Sequence, residues 1–202
     1  MKAYQDASLA PARRAKALLE EMTLAEKVGQ LNQRLYGFRI YERKCVNGED
    51  TIELSEEFCQ EVEKYSGLGV LYGLYRADPW ADKDYETGLT GLLSKKAYNQ
   101  VQRYVLEHSR LGIPVMMSSE CPHGHQALDG YLLPVNLLAG ATFDPAMVRA
   151  AYRVSGRQLQ NMGVDLALMS MLDVLRDPRW GRSEESVSYT HLRAHETELH
   201  LV

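Results

Sequence analysis

Glu120, Cys121, His123 and His125 fall within six positions of one another in the stretch SSECPHGHQALDG. All four side chains can ligate a metal, and the carboxylate and imidazoles can also hold or move protons. A zinc site is one reading, but the spacing matches neither CxxC nor HExxH, and Pro122 and Gly124 make the segment a rigid turn. A second reading has the carboxylate and imidazoles hydrogen-bonding the hydroxyls of a polar ligand. A third has His123 and His125 doing no more than satisfying loop carbonyls.

A second group, Asp173, Arg176, Asp177, Arg179, Trp180, Arg182, Glu184 and Glu185, sits in DVLRDPRWGRSEES. Arginines beside acids pair structurally, and Asp177-Pro178 favours a turn. The Trp-Gly-Arg ending offers an aromatic face, a hinge and a guanidinium fork, which together suit a sugar ring and its hydroxyls. A third group, His191, His195 and Glu196, lies in the last stretch with helix-like spacing.

The elements that must position these residues follow from pattern. Pro11 opens a helix carrying Ala15, Leu18, Leu19 and Met22 on one face. Thr23 and Glu26 have the capping-box spacing and open a second helix, so residues 1–36 are expected to form a helical hairpin. Residues 37–64 are polar and mixed, with an acidic helix in SEEFCQEVEKY. Buried strands are predicted at GLGVLYGL, IPVMMSSE and VDLALMSMLDV. Between them lie a loop over 76–92, a helix capped by Ser94, and a helix capped by Asp144 with Pro145 in its first turn. Strands alternating with helices imply an α/β fold with a parallel sheet, where ligands bind beyond strand ends. Both acidic and basic clusters above lie in such positions.

Bulk properties narrow the function further. A chain of 202 residues with 45% hydrophobic and 25% charged residues has the balance of a globular domain. A net charge of -4 without a basic stripe argues against nucleic acid. No apolar run reaches membrane-spanning length and the N-terminus has no signal-peptide core, so no membrane and a cytoplasmic location are expected. Cys45, Cys59 and Cys121, an odd number at irregular spacing, fit a reducing compartment.

Four ordered stretches, RAKALLEEMTLAEKVGQL, LGIPVMMSSECPHGHQALDG, LPVNLLAGATFDPAMVRAA and MLDVLRDPRWGRSEES, resemble the N-terminal barrel domain of glycoside hydrolase family 3. The resemblance runs from about Pro11 to Ser186. It implies an exo-acting retaining β-glycosidase on a (β/α)8 or related barrel, acting on β-linked glycosides without a cofactor. It also implies that Glu120 binds hydroxyls of the first-subsite sugar and that Arg182 contacts the same sugar. Many glucosidases of the family carry Asp where this chain has Glu120. The longer side chain would crowd a C6 hydroxymethyl, which favours a pentose such as xylose.

Retaining hydrolysis needs two carboxyl groups roughly 5–5.5 Å apart. The family's nucleophile, its acid/base and its Lys-His pair lie downstream of the PRWGR motif and have no matching positions here. Glu184 and Glu185 read as loop structure. The chain is therefore expected to comprise about three strands of an incomplete barrel over 37–186, to be inactive alone, and to dissolve poorly. Residues 187–197, VSYTHLRAHET, resemble a translated sequencing-library adapter, so 187–202 is expected to be a non-native tail and His191, His195 and Glu196 no site. The alternatives are a non-catalytic sugar-binding half-barrel using Glu120 and Arg182, and a metalloprotein using Glu120, Cys121, His123 and His125.

Overall fold

A computed structural model describes residues 2–169, 177 and 179–182. Helices α1 (Pro11–Glu21) and α2 (Leu24–Leu31) follow each other with only Met22 and Thr23 between them. Thr23 caps α2 as its spacing predicts: Glu26 N–H donates to Thr23 Oγ1 at 3.2 Å, and Thr23 N–H donates back to Glu26 Oε2 at 2.8 Å. Helix α2 packs against α3 (Glu56–Tyr65), which Ser55 caps.

Residues read as merely polar and mixed contain a hairpin of β1 (Tyr41–Val46) and β2 (Glu49–Leu54), paired antiparallel from Tyr41↔Leu54 to Val46↔Glu49. Its turn is Asn47-Gly48, with φ of 53° and 80°. That is the left-handed pair a tight two-residue turn demands, supplied by the two residue types that adopt it most readily.

The parallel sheet is as expected in kind but shorter. Strands β3 (Val70–Tyr72), β4 (Met116–Glu120) and β5 (Leu166–Leu168) lie in the order β3-β4-β5. Tyr36 adds a parallel bridge to Tyr72 on the far side of β3. The predicted strand over 164–174 runs beyond Met169 into residues outside those described. Helix α4 spans Gly91–Glu107 and begins at Thr90, not at Ser94. The apolar pair Leu92-Leu93 extends the helix by a turn, and Leu93 and Ser94 are both buried within it. A short α5 (Asn136–Gly140) precedes α6 (Pro145–Asn161), where Asp144 accepts from Met147 N–H at 3.0 Å as its cap.

Register sorts the strands' side chains onto two faces. Tyr72 pairs with Ser118, and Glu120 with Leu168. Because successive side chains alternate, Val70, Tyr72, Met116, Ser118, Glu120, Leu166 and Leu168 share one face. Leu71, Met117, Ser119 and Ala167 share the other. Leu71 and Met117 are buried in one core with Phe58 and Val62 of α3 and Ala97, Val101 and Val105 of α4. Burying each such side chain contributes about 1.5–3 kcal/mol, so this core holds α3 and α4 on one side of the sheet. Glu120 is thereby left on the face away from those helices.

Candidate functional site

Glu120 is the last residue of β4, and β3 ends beside it. Tyr72 Oη donates to Glu120 Oε1 at 2.6 Å. Arg76, four residues on, brings Nη1 to 3.4 Å from the same oxygen and also contacts Tyr72 Oη. Among the described residues no donor reaches Glu120 Oε2. One carboxylate oxygen is thus occupied, and the other, on a half-buried side chain, meets no donor among the described residues.

Arg76 is held in its turn. Its Nε and Nη2 lie 2.7 and 2.6 Å from Asp78 Oδ2, and its guanidinium carbon stands 4.5 Å from the centre of the Trp80 ring. Asp78 Oδ1 accepts from Ala81 N–H at 2.8 Å. Burial is the largest single influence on the Asp78 carboxylate and works against it, but the Arg76 hydrogen bond and charge together with the Ala81 and Trp80 backbone N–H groups outweigh it and keep the carboxyl below its ordinary value. Burial, and after it the adjoining Glu120 carboxylate, pushes the Tyr72 phenol well above its usual range, so Tyr72 remains a donor at neutral pH.

An aromatic group adjoins this pair. Trp80 packs edge-on with Tyr36 and Phe38 at centroid separations of 5.0 Å each, and Tyr36 lies 6.2 Å from Tyr72. Arg39 stands 5.5 Å from the rings of both Tyr36 and Phe38. Trp80 is 47% exposed and Tyr36 40% exposed. Large aromatic surface left open beside a carboxylate and a guanidinium combines the apolar and polar contacts that an amphipathic sugar ring offers.

The other candidates lie apart. His125 is fully buried, and its Nε2 shares a hydrogen bond of 2.8 Å with Ser119 Oγ on the helix-facing side of β4. Burial pushes its pKa down to about 4, so the ring is neutral at pH 7. Cys121 is buried, and burial raises its thiol above the usual range. The Nδ1 atoms of His123 and His125 have no partner among the described residues. Nor do the described residues contain any group of three or more His, Cys, Asp and Glu side chains able to hold a metal. Arg182 is exposed in a turn with Arg179–Gly181, and Arg179 pairs with Asp177. Asp173, Arg176, Glu184, Glu185, His191, His195 and Glu196 lie outside the described residues.

Tyr72, Arg76, Asp78 and Trp80 are the residues that reading the sequence missed. The signal was present in VLYGLYRADPW: an apolar run followed by a polar loop, the same strand-end logic that singled out Glu120.

A putative β-xylosidase of Formosa agariphila is 30% identical over 185 residues, covering 92% of this chain and 22% of its own length. A periplasmic β-glucosidase of Salmonella typhimurium is 27% identical over 168 residues, covering 83% of this chain and 17% of its own. The chain therefore spans about a fifth of the length of these relatives. A solved β-glucosidase from Erythrobacter marinus superposes with a TM-score of 0.66 at 29% identity, over 92% of this chain and 22% of that one. No described helix is long and apolar enough to cross a membrane. The glycosyl hydrolase family 3 N-terminal domain matches residues 23–199, and the chain belongs to that family.

Proposed function

We propose that this chain forms the sugar-holding wall of an exo-acting retaining β-glycosidase, with its parallel sheet as part of a (β/α)8-type barrel. Glu120 accepts hydroxyl hydrogens of the terminal sugar through Oε2, and Arg182 donates to the same sugar. The observation that carries this reading is the unequal use of the Glu120 carboxylate: Tyr72 and Arg76 converge on Oε1, and no donor among the described residues reaches Oε2. The xylosidase and glucosidase names of the relatives support β-linked glycosides as the substrate class.

The longer reach of Glu favours a pentose over a hexose. Hydrolysis needs the nucleophile and acid/base, for which this sequence offers no matching residues, so the chain alone binds and does not cleave. Three free thiols, Cys45, Cys59 and Cys121, support a reducing compartment.

The test is a titration followed by the fluorescence of Trp80. The chain has two tryptophans, so Trp180→Phe leaves Trp80 as the single reporter. Methyl β-xyloside should perturb its emission saturably, and Glu120→Ala should weaken binding about tenfold or more. Equal affinity in the Glu120→Ala variant would remove Glu120 from the site. Glu120→Asp should shift preference towards methyl β-glucoside, and an unchanged ratio would deny Glu120 the selecting role.

A further inference from the structure

We infer that Tyr72 and Arg76 are positioning residues that fix how far Glu120 Oε2 reaches, and so decide which sugar fits against it. This rests on the reading of Glu120 as a sugar ligand.

A glutamate has three side-chain torsions, and one left to itself samples many rotamers. If Glu120 could retract, it would yield to a hydroxymethyl group and discriminate poorly between sugars. Here it cannot retract freely, because two donors from a different element meet at one oxygen. Tyr72 stands in β3 opposite Ser118, with its ring nearly buried and edge-on to Tyr36. Arg76 is tied down at its far side by Asp78 and lies over Trp80, and Asp78 is anchored to the backbone of Ala81. Two rigid supports therefore end at Oε1, and Oε2 is set by the geometry of the carboxylate itself. An aspartate, one methylene shorter, could not meet both donors from the same backbone position. Glutamate at 120 and the Tyr72–Arg76 clamp thus work as one device.

The experiment measures calorimetric binding of methyl β-xyloside and methyl β-glucoside to the whole chain, in wild type, Tyr72→Phe and Arg76→Met. Tyr72→Phe keeps the ring and removes only the donor; Arg76→Met keeps the aliphatic stem but removes the Asp78 pair and the Trp80 contact along with the donor. Thermal melts followed by circular dichroism verify that each variant folds. The wild type should prefer the xyloside, and each variant should reduce that preference about fivefold, the scale of one lost hydrogen bond. Arg76→Lys, which retains a cation, should recover part of it; a variant merely loosened in structure would not be rescued this way. If both variants keep the wild-type ratio within about twofold, the positioning role is overturned while the sugar site stands. Equal binding of the two glycosides by the wild type would overturn the selecting role as well. If the wild type binds neither, Glu120 is no sugar ligand, and this inference falls with that reading.

Discussion

Arg110 grips Glu26 with both arms of its guanidinium: Nε lies 2.9 Å from Oε1 and Nη2 lies 2.7 Å from Oε2, across 84 positions of sequence. The same carboxylate accepts from Thr23 N–H at 2.8 Å. One buried acid therefore caps α2 and ties it to the loop between α4 and β4. The Arg110 hydrogen bond, opposed by burial and assisted by Thr23, draws its pKa down to about 2. The depression runs from an unfolded value near 4.5, so this stabilisation is complete above about pH 4.5 and is lost as pH falls towards 2. Its full size corresponds to ~3 kcal/mol. Arg110 is half in solvent, which reduces it to about 2 kcal/mol. Glu26→Gln should lower the urea midpoint at pH 7, and the gap to wild type should close as the pH approaches 2. A constant gap across that window would show that packing, not charge, is lost.

His125 acts over a different window. Its folded pKa of about 4 lies below the ordinary 6.5 because burial penalises the cation. The unfolded chain therefore takes up a proton first as pH falls. Stability should decline from about pH 6.5 and level off below about pH 4, by at most ~3 kcal/mol. His125→Gln, which can keep the bond to Ser119, should flatten this leg of the stability curve while leaving the Glu26 leg in place. A wild-type midpoint that does not change between pH 6.5 and 5 would refute the prediction.

The fold was legible where one local rule governs. The Thr23 and Asp144 caps and the alternation of apolar runs with amphipathic helices each depend on residues close in sequence, and each proved right. The β1–β2 hairpin was equally local, marked by Asn47-Gly48, but its strands carry mostly exposed charged side chains and lack the alternation that usually marks a strand. The site was legible only in half. Glu120 was found because it ends an apolar run. Its partners were not, because the Tyr72–Glu120 bond joins residues 48 apart, and only sheet register brings them together. Nothing within GLYRADPW alone says which oxygen Arg76 meets.

Gly69 is a second place where two distant segments meet. Its N–H donates to Gly29 O at 3.0 Å and its carbonyl accepts from Met116 N–H at 2.9 Å, so it joins the end of α2 to the start of the sheet. A Cβ here would strike the Gln30 carbonyl group and come within 2.7 Å of Gln30 Cα. Backbone cannot swing aside as a side chain can. At an open site Gly→Ala stabilises by about 0.4–1 kcal/mol through the unfolded chain. Gly69→Ala should instead destabilise by about 1–3 kcal/mol, the scale of overpacking. The sign of the shift in melting temperature decides between the two.

The sheet face that carries Glu120 also carries Met116, Leu166 and Leu168, exposed by 44%, 41% and 36%. Leu137, Leu138 and Phe143, in and just after α5, are exposed as well. On the opposite sheet face Leu71 and Met117 are almost wholly buried against α3 and α4, so the contrast is one of missing cover and not of residue type. Open apolar surface of this kind binds dyes and drives association, and β5 is the edge of the described sheet. The isolated chain should therefore enhance anilinonaphthalene sulfonate fluorescence and sediment as concentration-dependent oligomers. Leu166→Lys with Leu168→Lys should diminish both effects, because the charges stand on an already exposed face and cost little core packing. Dye binding that persists unchanged in the double variant would locate the sticky surface elsewhere, and a monomeric, dye-silent wild type would show that this face is covered in solution.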